Sequence, residues 1–140
     1  MSAPVPDAHF SVDIVLQGPD GKPIGPHWPI AFSQVLLPHI SAAPDPAARL
    51  VLRRAATGAL DLYQWLAAER ANPGKAPHIV TVQAMRAPDT PPAIGWRFNG
   101  AHPLTLGFGP LDALSGAILI ETLELGFATM DVLGDPVPGP

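Results

Sequence analysis

The sequence predicts a single domain that is mainly β with one α-helix, arranged as a β-sandwich or flattened β-barrel of six to seven strands. Several short stretches alternate apolar and polar side chains, and only one stretch has helical periodicity. The chain also contains 19 prolines and 13 glycines in 140 residues. Because proline cannot donate to a strand ladder or continue a helix, this content predicts many short elements. The length suits one core, so residues 1–140 are expected to form one domain.

Composition excludes several functional classes. The net charge is −4 with only 8 Lys+Arg, which argues against a surface built for nucleic acid or anionic membranes and favours protein partners. The chain has no cysteine, so disulfides and thiolate metal sites are excluded. No apolar run approaches the ~18 residues of a membrane anchor, and the N-terminus lacks the pattern of a secretory signal. We therefore expect synthesis in the cytoplasm.

The first third of the chain predicts two strands separated by a turn. Residues Phe10 to Gln17 alternate strictly, which indicates a half-buried strand. The turn at Gly18–Gly21 is short, so a second strand from Trp28 to Leu37 is expected to run antiparallel to the first. Three prolines exclude a regular element from residues 38 to 48. Prolines without periodicity also predict flexible arms at about 1–8 and 131–140.

The middle of the chain predicts a strand, the helix and another strand. The sequence Leu50–Arg54 is a short apolar strand that precedes Thr57, a favourable N-cap. The helix then presents the apolar residues Ala59, Leu62, Tyr63 and Leu66 at helical spacing, with Trp65 at the border of this stripe, and ends at Asn72, Pro73 and Gly74. A strand from Pro77 to Arg86 is apolar on both faces, as expected of a central strand.

The stretch from Gly95 to Phe127 predicts three further strands. The first alternates through Ile94, Trp96 and Phe98, and the second runs through Leu104, Leu106 and Phe108. The turn-forming sequence GPLDALSG then precedes a strand from Ala117 to Phe127. On this last strand we expect the apolar residues Leu123, Leu125 and Phe127 to be buried on one face.

No pattern in the sequence indicates catalysis, so we predict no enzyme activity, catalytic residue, cofactor or metal. The five histidines, His9, His27, His39, His78 and His102, lack metal-ligand spacing. Glu121 and Glu124 are three residues apart on a strand, so they point to opposite faces and are interpreted as edge or channel carboxylates. Arg53 and Arg54 are interpreted as a solvated basic pair. The G-x-G at Gly107–Gly109 is interpreted as a bend rather than a phosphate site.

The order of residues in the C-terminal half resembles the contractile phage tail tube protein family, which includes T4-like tail tubes and the inner tubes of extracellular contractile injection systems. The residues that match the family pattern there are Trp96, Phe98, Ala101, Pro103, Gly109, Pro110, Leu111, Ala113, Ile120, Glu121, Thr122, Leu123, Glu124 and Leu125. Upstream, the segment Phe32–Val35, the strand Leu50–Arg54 and Trp65 are also similar to family motifs.

The resemblance implies a structural subunit that forms a homo-hexameric ring around a central channel. The implied partners are other tube rings, baseplate hub or spike proteins and sheath proteins, with cargo in the lumen. The implied location is a phage tail or an injection particle, in which the sheath drives the tube through a target membrane. A terminal ring of the same machine, at the baseplate or the distal end, is the alternative within the family. A monomeric β-sandwich binding module is the alternative from another class.

One segment departs from the family pattern. The family carries a long charged segment between the second strand and the L-x-R strand, and by resemblance that segment reaches the neighbouring ring. Here residues 38 to 48 are the whole connection, and eleven extended residues span at most ~40 Å before the chain must return. Segment length alone therefore predicts that the isolated protein stops at single rings or ring pairs, which suits a terminal ring.

Overall fold

The computed structural model describes residues 3–139, which form eight β-strands and one α-helix. In chain order these elements are β1 (Phe10–Gln17), β2 (Pro23–Pro29), β3 (Gln34–Leu36), β4 (Leu50–Ala55), α1 (Asp61–Ala71), β5 (His78–Met85), β6 (Pro92–Phe108), β7 (Ile120–Gly126) and β8 (Thr129–Leu133). Residues 1 and 2 of the expected N-terminal arm and residue 140 of the expected tail lie outside the described residues.

The strands form one antiparallel sheet that folds into two layers, because β6 is long enough to belong to both. The first sheet has the order β2-β1-β5-β6-β8 and uses the N-terminal half of β6. The second sheet has the order β6-β7-β4-β3 and uses the C-terminal half. The predicted class, mainly β with one helix, is confirmed. The described strands number eight, and the sheet does not close into a barrel.

One hydrophobic core lies between the two sheets and beneath the helix. Its fully or almost fully buried members are Val12, Ile14, Val80, Val82 and Phe98 from the first sheet, Leu50, Leu52, Leu123 and Leu125 from the second, and Leu62 and Trp65 from α1. Side chains from facing layers thus fill one space, as in a sandwich. The expected burial of Leu123 and Leu125 is confirmed, and Phe127 packs against their cluster while partly exposed.

The two sheets are joined at Gly100, in the middle of β6. Two strands were expected here, but the chain continues as one strand of 17 residues. Gly100 has φ 65°, a conformation that L side chains rarely adopt. A Cβ at this position would lie 2.9 Å from the Cβ of Ala128, and the Ala128 N–H donates to the Asn99 carbonyl at 2.8 Å. The strand therefore bends where a crossing segment leaves no room for a side chain.

Several expected strand boundaries are wrong. The expected strand from Trp28 to Leu37 is two strands, because the chain leaves β1 after Pro29 and crosses to β4, where the Ser33 N–H donates to the Arg53 carbonyl at 2.8 Å. The expected strand from Ala117 begins only at Ile120. Strand β8 was not expected, and it takes the first three residues of the expected C-terminal tail into the first sheet.

The helix begins later than the sequence predicts. Thr57 is not its N-cap; α1 starts at Asp61, after Leu60, which makes no capping hydrogen bond through its side chain. Gly58 has φ 93°, so the intervening residues are not helical. The predicted end at Asn72 is confirmed. The buried side chains are Leu62 and Trp65, whereas Tyr63 is 52% exposed, so Trp65 is a core residue rather than a border residue.

We predict that Gly100→Ala destabilises the fold more than Gly116→Ala does. Both glycines have positive φ, which costs an alanine roughly 1–2 kcal/mol. Only at Gly100 does the added Cβ also collide with another residue. At Gly116 no other atom lies within 4 Å of the added Cβ. Urea unfolding of both variants measures the difference. Equal losses of unfolding free energy would show that the contact with Ala128 does not constrain the bend.

We also predict that Leu123→Ala lowers the free energy of unfolding by about 2 to 5 kcal/mol, because it empties fully buried volume. The matched control is Leu114→Ala, whose leucine is 96% exposed in a loop, and which should change stability by less than about 0.5 kcal/mol. Chemical denaturation is the measurement, and similar losses for the two variants would contradict the assigned core.

Candidate assembly site

The second sheet has an apolar inner face and an outer face that is mainly polar, although Leu36 and Val51 pair on it. On β7, Leu123 and Leu125 are fully buried, while the alternate residues Thr122 and Glu124 point away from the core. The Glu124 carboxylate accepts a hydrogen bond from the Thr105 hydroxyl at 2.9 Å, and Arg53 donates to the Gln34 side chain at 3.0 Å. These polar pairs span neighbouring strands across the exposed face. This face therefore suits contact with water rather than with a second hydrophobic layer.

Both edges of the second sheet lack a strand partner within the described chain. One edge is β3, and the other is the C-terminal half of β6, because β5 pairs with β6 only as far as Ala101. Apolar side chains lie exposed along these edges: Leu36 is 40% exposed on β3, and Phe108 is 57% exposed on β6. Unpaired backbone groups beside apolar side chains favour pairing with another strand.

The connections at the two ends of the second sheet form two distinct apolar surfaces. The loop of residues 109–119, here called the β6–β7 loop, presents Leu111, Leu114 and Ile118 at 88%, 96% and 73% exposure. At the opposite end, residues 39–48 and 127–130 enclose a groove of about 680 Å³, here called the end groove. The β4–β7 register places them apart, since Ala55 pairs with Ile120 near the loop and Leu50 pairs with Leu125 near the groove.

A cluster of three charged side chains ties the helix to the second sheet. The Arg54 guanidinium on β4 donates to the Glu121 carboxylate on β7 and to Asp61 at the start of α1, with one bond to Asp61 Oδ2 at 3.0 Å. The side chains of Arg54 and Glu121 are only 13% and 5% exposed. The hydrogen bonds from Arg54 hold the pKa of Asp61 below its usual range. Because Arg54 and Glu121 are both buried, loss of either one leaves the other without its partner and lowers stability.

The structure separates the predicted residues into different roles. Glu121 and Glu124 do point to opposite faces, as expected, but Glu121 is a buried ion-pair member rather than an edge or channel carboxylate. The interpretation of Arg53 and Arg54 as a solvated pair is wrong for Arg54, whose side chain is buried beside Glu121. Arg53 forms its hydrogen bond to Gln34 at the surface. Gly107 and Phe108 end β6, and together with Gly109 and other residues of the β6–β7 loop they line a groove of about 1120 Å³.

The histidines do not come together. Within residues 3–139, no group of three or more His, Asp and Glu side chains is placed to hold a metal ion. His27 pairs with Asp13 at 2.5 Å on the surface of the first sheet, and His102 Nδ1 lies 3.1 Å from the Gly100 carbonyl oxygen. His78 packs edge-on against Trp65 with ring centroids 5.0 Å apart, and burial lowers its pKa.

In the part of the chain described, no helix is long and apolar enough to cross a bilayer.

Sequence reasoning missed the pairing of Arg54 with Glu121, which are 67 residues apart. The signal available in the sequence was the alternation of inward-facing and outward-facing residues along each strand. Arg54 follows Leu50 and Leu52 at even spacing, and Glu121 precedes Leu123 and Leu125 in the same way, so both charges lie on the buried faces of their strands. Asp61 adds the usual preference for an acid in the first turn of a helix.

We predict that Arg54→Ala costs about 3 kcal/mol or more of unfolding free energy, because it leaves Glu121 buried without its cation. The neighbouring Arg53→Ala removes only a surface bond and should cost less than about 0.5 kcal/mol. Likewise Glu121→Gln should destabilise more than Glu124→Gln. Thermal or urea unfolding measures all four variants, and a larger loss in Glu124→Gln than in Glu121→Gln would reverse the assigned faces.

Comparison with known proteins agrees with this architecture. The family model described as T4-like virus tail tube protein gp19 matches residues 40–131. A chain in the cryo-EM structure of the anti-feeding prophage (AFP) baseplate superposes with a TM-score of 0.73 at 23% identity, covering 96% of this chain and 98% of that chain. A search of curated protein sequences finds no match.

Two chains from an extracellular contractile injection system, PVC, are also similar. One, from the sheath-tube complex in the extended state, has a TM-score of 0.72 at 18% identity, with 94% of this chain and 93% of that chain covered. The other, from the sheath/tube terminator structure, has a TM-score of 0.73 at 18% identity, with 95% and 99% covered. These likenesses show the shared fold, and the family match spans most of the sequence. This chain belongs to the T4-like virus tail tube protein family.

Proposed function

We propose that this protein is a structural ring subunit of the inner tube of a contractile phage tail or contractile injection system. The observation that carries the proposal is the second sheet, which combines a polar outer face with two unpaired edges. Such a sheet can continue from copy to copy until it closes around a water-filled channel. Six copies that contribute four strands each make a barrel wider than the 16–18-stranded barrels that already leave an aqueous channel.

The edges of the second sheet are better suited to this pairing than an edge of the first. Strand β2 carries Pro23, Pro26 and Pro29, which have no N–H to donate and protect that edge. Strand β3 contains no proline, and neither does β6 from Leu104 to Phe108. Pairing β3 of one copy with β6 of the next is a head-to-tail contact, the kind that closes into rings.

The role of the ring is mechanical, and no residue of it is assigned to catalysis. The sandwich core and the Arg54 network stiffen each subunit, and the assembled ring serves as a segment of conduit that the sheath drives through a target membrane. The polar outer face, where Arg53 and Glu124 contribute one charge of each sign, lines the lumen without a strong field of either sign. The partners are then neighbouring rings, the sheath, and the baseplate hub or spike.

A terminal ring of the same machine is the second candidate. The observation that favours it is the short connection between β3 and β4, which holds only residues 37–49 and forms no regular element. The repeated tube ring and the terminal ring differ in one respect: whether one rim of the ring binds another copy or a different protein.

We predict a native mass about six times the 14.6 kDa of the chain. Leu36→Lys and Phe108→Lys place charges on the two edges of the second sheet and should each yield a folded monomer, because inward or edge charges block strand pairing. Val132→Lys, on the edge strand β8 of the first sheet and 48% exposed, is the matched control and should leave the ring intact. Light scattering after size exclusion measures the masses. A wild-type monomer would favour the binding module. Loss of the ring only in the β8 variant would show that the first sheet, and not the second, forms the contact between copies.

A further inference from the structure

The bend of β6 contains the dipeptide Asn99–Gly100, a sequence that is prone to deamidation. In this reaction the backbone nitrogen of the residue after the asparagine attacks the asparagine side chain. Glycine permits the attack because it has no Cβ to obstruct it. The chain has one other asparagine, Asn72, and the Pro73 that follows it has no N–H and cannot attack. The sequence therefore holds a single asparagine that can be lost by this route.

The fold holds both reacting groups of this dipeptide in hydrogen bonds. The attacking group is the Gly100 N–H, which donates to Gln17 Oε1 at 2.7 Å. The leaving group is the Asn99 amide, whose Nδ2 donates to Thr129 Oγ1 at 3.0 Å and to Asp131 Oδ2 at 3.1 Å. The Gln17 bond must break before the nitrogen can attack. The other two bonds resist the rotation that would bring the amide towards that nitrogen.

Gln17 supplies an acceptor that the strand ladders do not. In the described sheet Gly100 has no paired residue, because β6 bulges here: β5 pairs with Phe98 and then with Ala101. A bulged residue of this kind is left out of the ladder. Gln17 ends β1 and is fixed there by its own N–H, which donates to the Pro77 carbonyl at 2.9 Å. Its side chain reaches past β5 to the bulge and accepts the hydrogen bond from the Gly100 N–H.

We propose that Asn99–Gly100 is a latent deamidation site and that Gln17 suppresses its modification in the folded protein. In the reaction, the Gly100 nitrogen loses its proton to solvent and forms a bond to Asn99 Cγ. The Cγ–Nδ2 bond breaks, and the amide leaves as ammonia after taking a proton from solvent. Water then opens the cyclic imide at either carbonyl carbon and gives aspartate or isoaspartate. Nothing is oxidised or reduced, and water is the co-reactant.

Modification at this position acts on the bend that joins the two sheets. Aspartate replaces the amide donor with a carboxylate that faces Asp131, so a hydrogen bond between β6 and β8 becomes a like-charge repulsion. Isoaspartate adds a carbon atom to the main chain next to Gly100, where φ is 65° and Ala128 leaves no room. Both products therefore weaken the pairing of β8 with β6.

The first test compares deamidation in the folded and the unfolded wild-type chain. Both samples are incubated in mildly alkaline buffer, one of them with guanidinium chloride, and are then digested with trypsin. Cleavage after Arg97 releases a peptide of residues 98–140 that contains no amide side chain except that of Asn99, so its mass reports this site alone. We expect deamidation to be at least about tenfold slower in the folded chain, because the hydrogen bonds must open first. Equal rates would overturn the inference.

Variants at Gln17 identify the residue responsible. Gln17→Met keeps a side chain of similar length with only a weak acceptor, and should speed deamidation of the folded chain by about tenfold. Gln17→Glu keeps an accepting oxygen and should retain the wild-type rate. The matched control is Gln34→Ala, which removes a glutamine whose Oε1 accepts from Arg53 at 3.0 Å, and which should leave the rate unchanged. A wild-type rate in Gln17→Met, or a fast rate in Gln17→Glu, would contradict the role assigned to Gln17.

Hydrogen–deuterium exchange tests the same bond in the wild-type protein, so the inference remains testable if Gln17→Met fails to fold. Mass spectrometry of short overlapping peptides should show slower exchange at the Gly100 N–H than at the N–H of Gly116, a second positive-φ glycine in the β6–β7 loop. Equally fast exchange would show that the Gly100 nitrogen is free to react and would overturn the inference. These measurements need the folded chain only, whether or not it forms the ring proposed above.

Discussion

The bend of β6 at Gly100 is the constraint on which the rest of the structure depends. One strand of 17 residues supplies a member to each sheet, so the direction of the bend sets how the two layers face each other. The bend requires positive φ at Gly100 and a close approach of the segment that carries Ala128 from β7 to β8. A Cβ at this corner would lie 2.9 Å from the Cβ of Ala128, so the crossing segment would have to shift.

Given that bend, the second sheet acquires two faces with different chemistry. Its inner leucines complete the core, and the same strand period places Arg54 and Glu121 against the core side as well. Two buried opposite charges are stable only together, and Asp61 adds the second carboxylate from the start of α1. Trp65 thereby holds the helix against the core through packing, and Asp61 holds it to β4 through charge.

The same topology places the strand edges and the connecting loops at different sides of the second sheet. Strand edges lie at the sides of the second sheet, while loops that carry apolar residues lie at its ends. In the ring that we propose, contacts between neighbouring copies use the strand edges, whose residues are separate from those of the end loops. The outer face between them carries the polar pairs Thr105–Glu124 and Arg53–Gln34, which suit the channel that we propose.

The local elements and the family were largely accessible from the sequence. Strict alternation identified β1, short apolar runs identified β4 and β5, proline and glycine identified the connections, and the two-residue period of strands placed Glu121 and Glu124 on opposite faces. These features depend on neighbours in the chain, whose geometry is set by local sterics and hydrogen bonding.

Other features were decided only by tertiary structure. The continuous path of β6 through Gly100, the division of the expected second strand into β2 and β3, and the burial of Arg54 beside Glu121 all depend on residues distant in sequence. Gly100 lies between the two strands expected here, and it becomes a bend within one strand because β5 and β7 pair with that strand on either side of it. Arg54, which the sequence predicted to be solvated, is buried because β7 places the carboxylate of Glu121 beside it. Local preferences amount to about 1 kcal/mol or less per residue, whereas emptying a packed site or removing one member of a buried ion pair costs about 2 to 5 kcal/mol, so the tertiary contacts prevail.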